Sequence, residues 1–368
     1  MSEVTDISEV TSKRTTSRPP TIHDVAEALG MHKSTVSVAF SGKGNLSLAT
    51  REKVLQVARE LGYEPNPLAQ RLANGVSNSL ICLFSGALDV GLATEKILLI
   101  QKELTGRGLD VPIYAYPDQS SDERTSQAVQ VKQLCRQRPR AIICATQTVN
   151  DAAFEELASY QSGGGILVSY DTEVPLDCDK VVFDRADNAY QGARHLLSKG
   201  HRSIAIGISG PGVAPGQPLT GPHGIRMIGF ERAFRESGLR ADFLYVDSTY
   251  ERGGAALAQQ FLKLKPRPTG ICIVNDYVAL AFMTEMMRAG VRVPEEVSIM
   301  GHDDQPVAEY CPVPLTSITQ PVEEIAHAVV AMLSERLSGS TARSRTLTIR
   351  GKLIERQSVV SVSVVSAS

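Results

Sequence analysis

The chain has 368 residues, of which 42% are hydrophobic and 21% charged, with no tryptophan. At roughly 150 residues per domain this points to two or three domains of ordinary globular make-up, and it excludes a disordered, collagen-like or disulfide-stapled protein and any apolar run of the roughly 18–20 residues that a membrane span needs. The formal net charge of −2 hides an asymmetry: residues 13–75 carry nine Lys/Arg against five Asp/Glu, and the remainder is acidic, which points to an anionic partner at the front of the chain.

Residues 1–19, rich in Ser, Thr and charge, read as a disordered tail without the apolar stretch of a secretory signal. Residues 20–64 then carry three short helical patterns. Ile22, Val25, Ala26 and Leu29 recur at i, i+3, i+4, i+7, with Thr21 as cap, Asp24 in the first turn and Gly30 as stop. Val36, Ala39 and Phe40 mark a second helix closed by Ser41 and Gly42. Val54, Val57, Ala58 and Leu61 mark a third, started near Ser47 and stopped by Gly62. Only Gly30, Met31 and His32 separate the first two, the spacing of a helix-turn-helix. The outer face of the second helix carries Lys33, Ser34, Ser37 and Val38, side chains suited to base edges in a major groove.

Residues 65–78 form a linker. Asn66 can cap a short helix that begins at Pro67 and ends at Gly75. At about eight residues it is too short to stand alone. Leu72 on it is either a core contact or an apolar wedge for a minor-groove step. From residue 79 nearly continuous apolar runs alternate with helical segments: LICLF, VPIYAY, AIICAT, GILVSYD, KVVFD, SIAIGIS, DFLYVD, GICIVND and VSIMGHD. Such runs are buried parallel strands, and their number suits two doubly wound lobes. Ligands bind beyond the carboxyl ends of such strands, which singles out Asp171, Asn275 with Asp276, and Asp303 with Asp304. The six cysteines (Cys82, Cys135, Cys144, Cys178, Cys272, Cys311) form no C-x-x-C pair and read as reduced, mostly buried thiols of a cytoplasmic protein.

The segment TIHDVAEALGMHKSTVSVAFSGKGNLSLATREKVLQVARELGYEPNPLAQRL resembles the DNA-binding head and hinge of the lactose-repressor/galactose-repressor (LacI/GalR) family. The stretches HLLSKGHRSIAI, GIRMIGFERAF, VNDYVALAFM, VPEEVSIMGHDD, PLTSITQPVEEIAHAVVAML and LIERQS resemble its effector-binding core. The resemblance covers roughly residues 20–358. It implies a small all-α helix-turn-helix head at 20–64, a hinge at 65–78 and an α/β two-lobed, periplasmic-binding-protein-like (type I) core at 79–358. The first lobe would hold about 79–179 and 322–342, the second about 180–319 and 345–357, with a tail at 359–368.

The resemblance assigns base reading to Lys33, Ser34 and Val38. Many members carry Arg where Val38 stands, so a guanine reader is missing and a thymine-methyl contact is available. Thr21, Thr35, Ser37, Asn45 and Arg51 are implied phosphate contacts. His32 stands where the family has a capping serine, and it reads equally as a phosphate contact or a neutral turn residue. Leu72 matches the hinge leucine that wedges into the operator. Asp171, Arg226, Asn275 and Asp303 match the effector-contacting positions. Together they suit the vicinal hydroxyls of a sugar, or Arg226 clamps a carboxylate or phosphate on a sugar derivative.

His302 replaces the family's Phe or Tyr before the Asp-Asp pair, and the Gly/Pro-rich loop at 207–224, which contains His223, is longer than usual and reads as a surface loop in preference to part of a ligand wall or lid. Tyr170, Tyr250 and Tyr277 read as wall or core residues in preference to stacking platforms for a ligand. No G-x-S-x-G, P-loop or H-E-x-x-H motif is present, and the histidines lack metal-ligand spacing. The expectation is therefore a non-enzymatic, cytoplasmic transcription repressor without cofactor or metal. It would be a homodimer on a near-palindromic duplex, controlled by a carbohydrate effector. The alternative is a solute-binding module without DNA regulation.

Overall fold

The computed structural model describes residues 20–41, 46–64, 80–86, 88, 92–116 and 126–362, in two units that divide after residue 78. The first unit holds α1 (Ile22–Leu29), α2 (Lys33–Ser41) and α3 (Leu48–Glu60). Each helix is too short to persist alone. Val25, Val36, Ala39, Val54, Val57 and Ala58 from all three share one small core. Asp24 accepts from both the backbone N–H (2.7 Å) and the hydroxyl (2.9 Å) of Thr21, which fixes the start of α1. Gly30, at φ 60°, ends it in the left-handed conformation that glycine adopts without steric cost. Phe40 meets Tyr63 edge to face at 5.5 Å and ties α2 to the end of α3.

The second unit contains two parallel sheets. β1 (Ile81–Ser85), α4 (Ala93–Gly106), β2 (Ile113–Ala115), α5 (Gln127–Arg136), β3 (Ala141–Ala145), α6 (Asp151–Ser162), β4 (Ile166–Asp171) and β5 (Asp179–Phe183) come first. Then follow α7 (Arg185–Ser198), β6 (Ile204–Ser209), α8 (Gly221–Ser237), β7 (Asp242–Val246), α9 (Tyr250–Lys263), β8 (Gly270–Ile273), α10 (Asp276–Arg288), β9 (Ser298–Met300) and the single turn α11 (Val307–Tyr310). β10 (Ser317–Ile318), α12 (Val322–Leu337), β11 (Thr346–Ile349) and β12 (Leu353–Ile354) complete the chain. All nine apolar runs read from the sequence contain strands.

The first sheet runs β11-β5-β4-β3-β1-β2 and the second β7-β6-β8-β9. Each is covered on both faces, by cores built around Ile97, Val329 and Leu333 or Leu134 and Leu157 in one lobe, and around Phe261 and Phe282 or Phe230 and Leu196 in the other. In each sheet the order reverses, beside β1 in one and beside β6 in the other, which opens a crevice at the carboxyl ends of the strands.

The boundary between lobes differs from the expected one. β5 pairs with β4, and β11 with β5, so residues 180–183 and 346–349 belong to the first sheet. The chain crosses after Phe183, returns at the end of β10, and crosses again after Ile349. The antiparallel pair β10–β12 joins the last two crossings. Pairing between distant strands decides this. Residues 359–362 also depart from a free tail, because Val359 is buried in the second lobe and the Val362 N–H donates to Lys199 O at 2.9 Å. Five of the six cysteines are buried, Cys135 is half-buried, and all are free thiols.

Candidate functional site

In the first unit His32, Lys33 and Ser34 are exposed at the start of α2, with Thr35, Ser37 and Val38 half-buried along that helix. Ser34, Ser37 and Val38 lie three and four residues apart, on one face. Arg51 is half-buried in the first turn of α3, whose cap Ser47 accepts from the Thr50 N–H at 3.1 Å. Asn45, Leu72 and the hinge at 65–78 lie outside the described residues.

His32 is the N-cap of α2. Its carbonyl accepts from Thr35 and Val36 N–H groups, its Nδ1 sits 2.8 Å from Ser34 Oγ, and the Ser34 N–H points at the same nitrogen from 3.4 Å. An imidazole nitrogen can act where the family has a serine oxygen, provided Nδ1 carries no proton. That tautomer leaves Nε2–H as an exposed donor, so capping and contact with an anion are compatible.

In the second unit three of the four residues expected to meet an effector, Asp171, Arg226 and Asp303, are buried, and Asn275 is half-buried beside Asp303. Asp171 ends β4 and is 1% exposed. Lys96 Nζ reaches its Oδ1 at 2.8 Å from the first turn of α4. Arg185, first residue of α7, donates from Nη1 to Asp171 O and from Nη2 to Asp171 Oδ1, both at 2.9 Å. Burial alone would raise the Asp171 pKa, but Arg185 and Lys96 outweigh it and hold the carboxylate far below its ordinary range. Burial works the other way on Lys96 and lowers its pKa, with Asp171 opposing.

From the second lobe, Asn275 caps α10 by accepting from the N–H groups of Tyr277 (3.0 Å) and Val278 (3.4 Å), while its Nδ2 donates to Asp303 Oδ2 at 3.0 Å. Gln320 Nε2 approaches Asp303 Oδ1 at 3.5 Å. Arg226, in α8, lies 3.6 Å from the same carboxylate, and burial pulls its pKa down to about 10. Asp304 turns aside to Arg356 at 2.7 Å. The field of Asp303 reaches Lys96, and that of Asp171 reaches Arg226, so the strand ends of both sheets share one electrostatic centre. Asp171 and Asp303 both hold a positive φ, 97° and 95°. Non-glycine residues in that region cost free energy and concentrate at functional sites.

Three participants escaped the reading of the sequence. Lys96 left a signal: it falls on the buried stripe Ala93, Lys96, Ile97, Ile100, Leu104 of α4. Arg185 left none, because its partner follows from the crossing after β5. His223 was assigned to a long loop, but β6 runs to Ser209 and α8 begins at Gly221. The loop is therefore 210–220, and His223 stands three residues before Arg226 on the same helix face. Burial, then Arg226 and Arg185, lower its pKa to about 4, so the ring is neutral at pH 7.

Of the aromatic candidates, Tyr170 adjoins the cluster, with Lys96 Nζ 5.9 Å from its ring centroid. Tyr170 belongs to the first-lobe core. Tyr250 and Tyr277 pack edge to face at 6.0 Å. His302 is a core residue: it meets Phe230 edge to face at 5.8 Å, and its Nδ1 lies 2.9 Å from Ile273 O. It thus fills the place of the expected Phe or Tyr, and burial lowers its pKa to about 4. No group of three His, Cys, Asp or Glu side chains with metal-binding geometry occurs among the described residues.

Residues 21–66 match the family described as bacterial regulatory proteins, lacI family, and residues 193–359 match a periplasmic binding protein-like domain. The transcriptional regulator DegA of Bacillus subtilis is 31% identical over 310 residues, which cover 83% of this chain and 88% of DegA. The transcriptional repressor CytR of Escherichia coli K12 is 28% identical over 341 residues, 92% of this chain and 96% of CytR. Among solved structures, the Lac repressor dimer bound to operator and the anti-inducer ONPF superposes with a TM-score of 0.77 at 23% identity, covering 93% of this chain and all of that one. The regulator CelR in complex with cellobiose gives 0.65 at 24% identity, covering 92% of this chain and all of CelR. The head, the two-lobed core and the extent of the DegA match agree: this chain belongs to the lacI family of bacterial regulatory proteins.

Proposed function

We propose that this protein is a cytoplasmic, homodimeric transcription repressor that binds a near-palindromic DNA operator and releases or holds it according to a small carbohydrate-like effector. The observation that carries this reading is the joining, in one chain, of a helix-turn-helix head with exposed Lys33 and Ser34 to a core whose two sheets gather charged side chains at their strand ends. Lys33, Ser34 and Val38 read bases; His32, Thr35, Ser37 and Arg51, with Thr21 and Asn45, position the head on phosphates. Thr21 acts through the N-terminus of α1, since its own hydroxyl donates to Asp24. Leu72 wedges the minor groove. Asp171, Arg226, Asn275 and Asp303 hold the effector, and closure of the lobes upon it alters the spacing of the two heads. Exposed Leu98, Tyr277, Met287 and Tyr310 offer apolar surface for self-association.

The test is selection from random duplexes by the purified full chain at two salt concentrations. A palindrome with half-sites about one helical turn apart is expected. Affinity should fall with a log–log slope of about −0.9 per phosphate neutralised. Absence of enrichment, with and without a sugar library, or a flat salt response overturns the reading.

A further inference from the structure

The cleft holds more positive charge than its own residues neutralise. Among the described residues, Lys96, Arg185 and Arg226 face the two carboxylates of Asp171 and Asp303. Asp171 Oδ1 takes both Lys96 and Arg185. Asp303 takes amide donors from Asn275 and Gln320, and Arg226 stands off at 3.6 Å. That separation is an ion pair without a hydrogen bond. Arg226 is nonetheless only 9% exposed. Arg185 Nε, His223 Nδ1 and Gln320 Oε1 are buried without a hydrogen-bond partner. Asp276, the next carboxyl inward, is engaged with its own loop, accepting from the Gln305 N–H and the Ser317 hydroxyl at 2.7 Å each.

A buried guanidinium without a hydrogen-bonded counter-charge is disfavoured unless a ligand completes it. Arginine presents a planar fork matched to two oxygens of one oxyanion. A neutral sugar would satisfy donors but leave the excess charge buried as the lobes close.

We propose that the effector is a small hydroxylated anion, whose carboxylate or phosphate group is held by Arg226 with Arg185 beside it, and whose hydroxyls meet Gln320, His223 and Asp303. This deepens the effector reading above and rests on it.

The full chain is melted in the presence of a bacterial small-molecule extract, split on an anion exchanger into a retained anionic pool and a neutral flow-through. The anionic pool is expected to raise the midpoint by about 2 °C or more, as a ligand well above its Kd does. Arg226→Gln should lose at least tenfold in the concentration of that pool required, with its own midpoint measured unliganded to show that it folds. Arg226→Lys, which keeps charge without the fork, should recover part of the loss. Treating the active pool with a phosphatase distinguishes the sources: loss of the shift identifies a phosphate ester, and persistence a carboxylate. A shift from the neutral pool alone overturns the anion proposal and leaves effector control standing. A shift from neither pool overturns both.

Discussion

Arg185 grips Asp171 at two points, its Nη1 on the backbone carbonyl and its Nη2 on Oδ1, each at 2.9 Å. The grip bridges the crossing from the first sheet to the first helix of the second lobe, and Lys96 shares the same Oδ1. Asp171→Ala would leave two buried cations facing each other, and breaking such a pair costs about 3–5 kcal/mol. Urea unfolding of the full chain measures it. The folded-state pKa of Asp171 is depressed. Its stabilisation is therefore complete above the unfolded carboxylate pKa of about 4 and is lost as pH falls below that. The gap between wild type and Asp171→Ala should narrow in acid.

Asp276 has the opposite sign. It is wholly buried, accepts from Gln305 N–H and Ser317 hydroxyl at 2.7 Å each, and burial raises its pKa well above the usual value. A carboxyl with a raised folded pKa contributes stability below its unfolded pKa and loses it as pH rises through the folded one. Asp276→Asn removes that loss while keeping one acceptor. The stability of the variant relative to wild type should rise as the pH climbs above the unfolded carboxylate pKa of about 4. A difference that does not change with pH would show that the carboxyl titrates normally.

At the head, His32→Ala should cost about 1 kcal/mol through loss of the cap on α2. Hydrogen exchange of the first amides of that helix reads it directly. His32→Ser should restore protection. Equal protection in all three proteins would mean that the ring does not cap.

Lys33 is exposed on the second helix. Lys33→Ala should cost about 1–3 kcal/mol in operator affinity and relax preference at one base pair per half-site. A uniform loss across all sequences would assign Lys33 to phosphate instead. Val38→Arg should introduce a preference for guanine. Competition binding against single-base operator variants checks both.

Gly229 sets the approach of α8 to α7. A Cβ there would lie 1.9 Å from Ala186 O and 2.9 Å from Tyr190 N, both backbone atoms. Gly229→Ala should therefore cost roughly 3 kcal/mol or more and displace Arg226, which lies three residues earlier on the same helix. A thermal midpoint equal to wild type would contradict the packing.

The sequence by itself determined the local structure. The caps at Thr21 and Ser47, the stop at Gly30 and the apolar stripes of the head are contained within a turn or two, so their physics is present in the string. The nine apolar runs likewise locate the strands, because a parallel strand buried on both faces needs continuous hydrophobic side chains. Asp171, Asn275 and Asp303 at strand ends marked the cleft, and the resemblance added Arg226. Tertiary structure decided what they do there. Lys96 meets Asp171 across 75 residues of chain. Arg185 enters because the crossing falls after β5, and His223 because α8 begins a turn earlier than its Gly/Pro-rich approach suggests. Whether a charge is paired, in excess or turned aside depends on which distant strands lie side by side, and no local pattern records that. The sheet order places three cations around two carboxylates, and the chemistry of the cleft follows from that count.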